Sequence, residues 1–305
     1  MEKLKGRIYL AISFVLAGTA VIAARFVSDS LGTFTITAAS LLAVLIILLP
    51  FYMLRIKQGI RNMSKNDWIM ICLQAFFGIF LFRAFLLFGL QNTSSTEAGV
   101  LIGAAPVLTS ILARTMLKEK SNAKTTGGII CAVLGVLLLQ GAQLSNLTAE
   151  HVLGNMLVVC AAASESLFNI LSRIHSLSEI TDNRGKIEPT VQSLLVSAIA
   201  FLFCIIPASF EYPVSSLLSL DLKGWVSILW YGLIVTMLSY VLWYAGIKRC
   251  TAHTAAAFSC LMPFTSMLLA FLILEESVET MQWIGGFLVI LGVILLTYSQ
   301  AAEKG

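Results

Sequence analysis

Long apolar runs alternate with short polar breaks along the whole chain. Each run is close to the roughly 20 residues that an α-helix needs to cross the hydrocarbon core of a bilayer. The pattern predicts ten transmembrane helices, at residues 7–27, 31–53, 67–90, 92–117, 124–141, 152–174, 190–210, 223–247, 251–274 and 281–299. These spans fill the chain and leave no segment long enough for a soluble catalytic domain. We therefore predict an all-α membrane protein.

Composition and charge agree with a lipid environment and predict an orientation. Of the 305 residues, 58% are hydrophobic and 12% are charged, whereas a soluble domain needs a more highly charged surface. Sixteen of the twenty Lys and Arg residues fall in segments that would share one side of the membrane: Lys3, Lys5, Arg7, Arg55, Lys57, Arg61, Lys65, Lys118, Lys120, Lys124, Arg173, Arg184, Lys186, Lys248, Arg249 and Lys304. The positive-inside rule makes that side the cytoplasm and places both termini there. We expect a multi-pass protein of a cell membrane, with a bacterial cytoplasmic membrane as the first expectation.

The two halves of the chain resemble each other at a fixed offset. A shift of 157 residues aligns Trp68 with Trp225, Gly89 with Gly246, Ala98 with Ala255, Pro106 with Pro263, Glu119 with Glu276, Gly128 with Gly285 and Gly135 with Gly292. Upstream, a shift of 148 residues aligns Gly6 with Gly154 and Arg25 with Arg173. The chain therefore divides into a first repeat at 1–141 and a second at 151–300, each with five predicted spans.

Because five is odd, equivalent helices of the two repeats should point in opposite directions across the membrane. The loop charges fit this prediction: residues 118–120 are basic and the equivalent loop at 275–279 is acidic. Inverted repeats are typical of secondary transporters, in which the substrate site lies near the membrane midplane between the halves. The predicted fold class is thus ten transmembrane helices arranged as two inverted five-helix repeats.

Two stretches of the chain resemble EamA-type repeats. One runs from Thr93 to Gly141 and includes Pro106, Glu119 and two glycines, and the other runs from Thr251 to Tyr298 with the equivalent residues. The chain is similar to the drug/metabolite transporter superfamily over nearly its whole length. The resemblance implies export of amino acids, metabolites or drugs, or uptake of metabolites.

Glu165 and Asn169 are the main candidates for a site in the sixth span. A charged group in the hydrocarbon region is costly and is therefore a functional hypothesis by default. Glu165 can contact a substrate amine or carry a coupling proton, or it can be a carboxyl group hydrogen-bonded to a neighbouring helix, and the sequence leaves these alternatives open. Asn169 lies one turn later on the same helix face and can extend either role.

Arg83 and two tyrosines are candidates in the third and eighth spans. We favour an ion pair between Arg83 and Glu97 over a role for Arg83 as a substrate anchor, because adjacent antiparallel helices would bring the two to similar depth. Tyr240 is equivalent to Arg83 at the 157-residue offset. With Trp243 and Tyr244 it forms an aromatic group that either lines the cavity or belongs to an interfacial belt.

Further candidates border the predicted pathway. Gln74, in the third span, is included among the cavity residues. Pro106 and Pro263 each remove a helix hydrogen bond, and we expect kinks at these repeat-related positions next to the pathway. We expect His253 to be a solvated residue at the membrane surface, and Glu119 to stabilise a loop rather than to bind substrate.

The sequence predicts a secondary active transporter that works by alternating access. The primary hypothesis is an exporter of amino acids or related metabolites, with proton coupling through Glu165 as one option. The alternatives are multidrug or amine efflux, or metabolite uptake, by the same fold. A membrane-embedded enzyme or lipid-handling protein is less favoured, because the three histidines, His151, His175 and His253, are widely scattered. The expected partners are a small-molecule substrate, the lipid bilayer and protons; no cofactor, metal, ATP or nucleic acid is predicted.

Overall fold

The computed structural model describes residues 2–27, 31–90, 101–102, 105–119, 123–139, 152–181, 187–273, 275 and 278–299. Across these ranges the chain is helical and contains no strand. The helices are α1 (Glu2–Gly18), α2 (Ala20–Arg25), α3 (Thr33–Asn62), α4 (Lys65–Ala75), α5 (Phe82–Leu90), α6 (Ala105–Met116), α7 (Ala123–Leu139), α8 (Val152–Thr181), α9 (Pro189–Ser209), α10 (Pro213–Leu218), α11 (Leu222–Trp230), α12 (Ser239–Ile247), α13 (Ala252–Ser259), α14 (Leu261–Ile273) and α15 (Thr280–Ser299).

Six helical segments of the described chain are long and apolar enough to cross a membrane. They are Thr33–Arg61, Lys65–Leu86, Val152–Ser178, Pro189–Ser209, Leu222–Ile247 and Ala252–Ile273. Two shorter apolar helices cover Thr125–Leu139 and Thr280–Leu295. The protein is therefore an all-helical, multi-pass membrane protein.

Two helices continue well past the ends of the predicted spans. We predicted spans ending at residues 53 and 174, but α3 runs to Asn62 and α8 to Thr181. Lys and Arg form helices readily, so a basic residue ends the apolar run without ending the helix. After α3 the chain turns directly into α4, where Ser64 and Asp67 form a capping box.

Two segments of π-helix interrupt long helices. The first, π1 (Phe76–Leu81), joins α4 to α5, and the second, π2 (Tyr231–Leu238), joins α11 to α12. Adding the 157-residue offset to π1 gives residues 233–238, which lie inside π2. A π-segment inserts an extra residue into a helical turn and is often found at functional sites. Both continuous helices therefore change their side-chain register at equivalent places.

Helices from the two halves of the chain pack against each other. The most extensive contacts are those of α7 with α15, α3 with α9, α5 with α8, and α1 with α12. The pair α3 and α9 also carries internal prolines at Pro50 and Pro207, again 157 residues apart.

At the start of α3, the Glu211 carboxylate accepts hydrogen bonds from the amides of Phe34 and Thr35 at 3.3 and 2.7 Å. Glu211 thus satisfies amide groups that would otherwise lack partners at a helix N-terminus.

Glycines allow these helix pairs to approach closely. A Cβ atom on Gly135 of α7 would lie 2.6 Å from the carbonyl oxygen of Gly285 in α15. One on Gly292 of α15 would lie 2.6 Å from the carbonyl oxygen of Gly128 in α7. These four glycines are the ones aligned by the 157-residue offset, and small residues of this kind are what close helix packing in membranes requires.

The same reciprocity occurs in a second pair of contacts. A Cβ atom on Gly89 of α5 would lie 3.1 Å from the carbonyl oxygen of Gly154 in α8. A Cβ atom on Gly246 of α12 would lie 3.1 Å from the carbonyl oxygen of Gly6 in α1. Gly89 and Gly246 are equivalent at the 157-residue offset, and Gly6 and Gly154 at the 148-residue offset, so each contact has a counterpart in the other half.

Replacing Gly135 with alanine should destabilise the protein. The added methyl group would meet the backbone of α15, and overpacking of this kind costs about 1–3 kcal/mol. Gly127 in the same helix has nothing within 4 Å of an added Cβ atom. Gly127→Ala should therefore leave the thermal unfolding midpoint in detergent unchanged or slightly raised, because alanine favours a helix over glycine. Equal midpoints for the two variants would contradict the close α7–α15 contact.

Candidate functional site

Arg83 connects three helices near the centre of the molecule. It lies at the start of α5, directly after π1, and its guanidinium donates hydrogen bonds to the hydroxyl groups of Thr37 in α3 and Tyr231 in π2. The Arg83 side chain also lies 4.8 Å from the centre of the Tyr231 ring, a cation–π distance. Glu97, the partner that we expected for Arg83, lies outside the described residues.

Glu165 is the isolated charge of this region. It lies half-buried in the middle of α8, and within the described part of the chain its carboxylate has no ion pair or hydrogen bond. Tyr240 of α12 lies within electrostatic range of both Glu165 and Arg83. We call Arg83, Glu165, Tyr231 and Tyr240 the central cluster. It brings together one positive group, one negative group and two phenol rings from both halves of the chain.

Aromatic rings form one wall beside the central cluster. Phe168, one turn after Glu165 in α8, stacks on Tyr240 with ring centres 5.5 Å apart and on Trp243 at 5.9 Å. Trp243 and Tyr244 are 3% and 0% exposed, so the alternative that they form an interfacial aromatic belt is wrong. They pack inside the protein instead.

Gln74, Tyr244 and Asn169 make hydrogen bonds between helices. The Tyr244 hydroxyl donates to the side-chain oxygen of Gln74 at 2.9 Å, which joins α12 to α4. Asn169 is buried and donates to the hydroxyl of Thr109 in α6 at 3.4 Å. The structure therefore gives each of these candidate site residues a protein partner and places none of them in the central cluster itself.

The two prolines lie near the beginnings of helical segments. Pro106 is the second residue of α6, and residues 103–104 before it lie outside the described part of the chain. Pro263 follows a turn at Cys260 that separates α13 from α14. Proline cannot donate a hydrogen bond to the carbonyl group four residues earlier, which is consistent with the interruption at this point.

Glu119 and His253 join the loop after α6 to α13. The Glu119 carboxylate lies 3.1 Å from Arg173 Nε and accepts a hydrogen bond from the amide of Ala252 at 2.9 Å. His253 is 2% exposed, and its Nδ1 lies 2.5 Å from the hydroxyl of Ser110. Our expectation of a solvated His253 is therefore wrong: the ring is buried between α6 and α13. Glu276, the equivalent of Glu119, lies outside the described residues.

Sequence reasoning missed several residues of the site. Tyr231 contacts Arg83 and Phe168 packs on Tyr240, but aromatic residues are so common in apolar spans that neither was distinguishable. Tyr231 is equivalent to Gln74 at the 157-residue offset, which is the one signal that links it to a candidate. In the described chain, no group of three His, Cys, Asp or Glu side chains is placed to hold a metal ion.

Glu119→Ala should destabilise the fold strongly. It would leave Arg173, whose side chain is 13% exposed, without its carboxylate, and breaking a buried ion pair in this way costs about 3 kcal/mol or more. The matched control is Glu188→Ala, which removes an exposed partner of Arg55 and should cost less than about 1 kcal/mol. Thermal unfolding in detergent measures both. A Glu119→Ala variant as stable as Glu188→Ala would show that this ion pair does not hold the loop.

Comparisons with known proteins identify the family. The EamA-like transporter family matches the chain twice, at residues 4–140 and 152–298. The chain is 31% identical over 293 residues to the "Uncharacterized transporter YetK" of Bacillus subtilis (strain 168), covering 94% of this chain and 84% of that protein. It is 29% identical over 256 residues to the "Uncharacterized transporter YyaM" of the same organism, covering 83% and 79%.

A solved crystal structure shares the fold. It superimposes with a TM-score of 0.75 at 16% sequence identity, and the match covers 98% of this chain and 99% of the other. The architecture described above is therefore one that occurs in an experimentally solved protein. With a family match in each half and relatives named as transporters, the chain belongs to the EamA-like transporter family, and it is a transporter rather than an enzyme.

Proposed function

We propose that the protein is a secondary active transporter that exports amino acids or closely related metabolites by alternating access. The observation that carries this proposal is the central cluster, in which Arg83 and Glu165 both lie within electrostatic range of Tyr240. A substrate with a carboxylate and an ammonium group would satisfy both charges. Buried charges are costly unless they are paired, so a zwitterionic substrate fits this cluster better than a singly charged one.

The architecture that we propose for transport is ten transmembrane helices in two inverted repeats, residues 1–141 and 151–300. Its support is the reciprocal pattern of close contacts. Gly135 approaches Gly285 as Gly292 approaches Gly128, and π1 and π2 occupy equivalent places. A two-fold axis in the membrane plane would generate such pairs. In transporters of this kind the site lies at the interface of the repeats.

Two hydrogen bonds across the centre are candidates for the contacts that open and close. The hydrogen bond from Arg83 to Tyr231 lies on the side that we assign to the exterior. The hydrogen bond from Tyr244 to Gln74 lies on the side that we assign to the cytoplasm. Each joins a side chain of the α4–π1–α5 helix to one of the α11–π2–α12 helix. Gln74 and Tyr231 are equivalent at the 157-residue offset, so rocking one repeat against the other would change the two contacts in opposite senses.

Glu165 is the residue that we propose for the substrate ammonium group and for proton coupling. A carboxyl group without a charged partner in a membrane protein favours the neutral form. It can release its proton when a substrate cation arrives and take one up when the substrate leaves. This exchange would couple export to proton entry in a cell membrane with both termini in the cytoplasm, without ATP.

Amine or multidrug efflux is the second candidate. The observation in its favour is the aromatic wall of Phe168, Tyr240 and Trp243 beside Glu165, because aromatic faces attract organic cations. The two candidates differ in the role of Arg83. An amino acid needs Arg83 for its carboxylate, whereas an amine does not.

Transport in proteoliposomes tests the proposal. A panel of amino acids and their decarboxylated amines is supplied with and without a proton gradient. We expect amino acid transport that the gradient accelerates, and Glu165→Gln should remove the acceleration because the amide cannot carry the proton. Arg83→Gln should weaken selection of the amino acid over its amine by at least about tenfold, the effect of losing roughly 1.4 kcal/mol of interaction.

The matched control is Glu188→Gln, which changes an exposed carboxylate of the cytoplasmic loop that ion-pairs with Arg55. It should transport with the gradient dependence of the unaltered protein. A Glu165→Gln variant that keeps its full response to the gradient would contradict the coupling role. Faster transport of the amines than of the amino acids would favour the second candidate.

A further inference from the structure

A buried polar network lies on the side of the central cluster that we assign to the cytoplasm, and it extends beyond the Gln74–Tyr244 contact. We call it the inner network, and it consists of Asp67, Gln74, His175, Gln192 and Tyr244. Its members come from α4, α8, α9 and α12. All except Asp67 are at most 1% exposed. Buried polar groups in such number need mutual hydrogen bonds, and these bonds connect four helices.

The hydrogen bonds of the network identify the neutral form of His175. The ring nitrogen Nδ1 faces the amide nitrogens of Gln74 at 3.4 Å and Gln192 at 3.2 Å. Amide nitrogens are donors, so Nδ1 must be an acceptor and carry no proton. In the neutral ring the proton is then on Nε2, which lies 3.3 Å from the carboxylate of Asp67.

Protonation of His175 would reverse part of this network. An imidazolium ring donates from both nitrogens, so a proton on Nδ1 would face two amide donors. Rotation of both the Gln74 and the Gln192 amides by half a turn turns their oxygens toward Nδ1 and resolves the conflict. Gln192, which at present donates to the Gln74 oxygen at 3.1 Å, then accepts from the Gln74 nitrogen. The Gln74 nitrogen then faces the Tyr244 hydroxyl, which at present donates to the Gln74 oxygen and would have to accept instead. One proton at His175 thus changes the hydrogen bonding of Tyr244.

The charged surroundings of His175 favour such a proton. Asp67 of α4 is the carboxylate beside the ring, Tyr244 of α12 is a neutral phenol, and α9 contributes the uncharged Gln192. Arg173, on the same helix, is bound to Glu119 and to the carbonyl group of Ile247. Lys248, at the end of α12, donates to the carbonyl group of Ile187. These two cations are therefore engaged with other acceptors, while the Asp67 carboxylate lies 3.3 Å from the imidazole.

The network also reaches the central cluster. The Tyr244 ring lies 6.2 Å from the centre of the Tyr240 ring and 6.5 Å from that of Phe168. Along α8, His175 follows Glu165 by ten residues, a rise of about 15 Å. A change at Tyr244 would thus act directly on the Tyr240 and Phe168 rings.

We propose that His175 is a second proton-binding site of the transporter, on the cytoplasmic side, and that Gln74 and Tyr244 connect it to the central cluster. Histidine changes charge between pH 5 and pH 8, so the charge of His175 can respond to changes of pH near neutrality. The transport consequence rests on the proposed function, whereas proton binding at His175 does not. The two parts are tested separately.

Nuclear magnetic resonance of the protein labelled with ¹⁵N at histidine tests proton binding directly. The chain has three histidines, so His175→Gln and His253→Gln assign the signals. We expect the His175 ring to pass from neutral to protonated between pH 8 and pH 5, and Asp67→Asn to displace this transition toward lower pH because the carboxylate that stabilises the imidazolium is lost. A His175 ring that stays neutral throughout, with or without Asp67, overturns the proposal.

Transport tests the connection. With external pH held constant, the rate in proteoliposomes should change by about threefold or more between cytoplasmic pH 6 and pH 8. The transport rates of His175→Gln and Gln74→Met should change by less than about half as much between these two pH values. His253→Gln, which removes another buried histidine, should keep the full dependence of the rate on cytoplasmic pH. If His175 titrates but the transport rate does not depend on cytoplasmic pH, the proposed connection between His175 and the central cluster is overturned. If no compound of the panel is transported, the proposed function fails, and the resonance measurement still decides whether His175 binds a proton.

Discussion

The hydrocarbon core of a membrane offers no hydrogen bonds, and this constraint determines most of the structure. Backbone amide and carbonyl groups must pair within the chain, which is why the described residues form helices and no strands. Polar side chains are under the same constraint. Gln74, Asn169 and Tyr244 pair with neighbouring helices, and Arg83 pairs with two hydroxyl groups. The Glu165 carboxylate has no such partner within the described chain.

The glycine contacts between helices repeat in the two halves of the chain, whereas the polar residues near the centre do not. The close contacts of Gly135 with Gly285 and of Gly128 with Gly292 exchange with each other at the 157-residue offset. The charged residues do not repeat in this way, because Glu165 is equivalent to Ala17 and Arg83 to Tyr240. A nearly symmetric framework therefore carries an asymmetric site. In the transport cycle that we propose, a symmetric framework would suit two states of similar energy, and the residues that do not repeat would bind one substrate in a defined orientation.

The sequence predicted a helical, multi-pass membrane protein correctly, because long apolar runs indicate helices that face lipid. Six of these helices are long enough to span a membrane in the described chain, and the inverted arrangement of ten spans stays a prediction. Helix ends were predicted less well, as at Asn62 and Thr181, since polar residues end the apolar run and not the helix. The site was predicted as a set of separate candidates. Tyr240 lies within electrostatic range of Arg83 and Glu165, but the contact of Tyr231 with Arg83 depends on helix rotation at π2. His253 was misplaced because its burial depends on α6, which is distant in sequence.

Two exposed loop residues allow a direct test of the inverted arrangement. Lys118 and Glu275 are 157 residues apart, are both exposed, and share a left-handed backbone with φ of 52° and 55°. The measurement is labelling of Lys118→Cys and Glu275→Cys in intact cells with a membrane-impermeant maleimide, in a background without the six native cysteines. If the repeats are inverted, Glu275→Cys is labelled from outside and Lys118→Cys only after the membrane is opened. Labelling of both positions from the same side would contradict the inverted repeats and the central site between them.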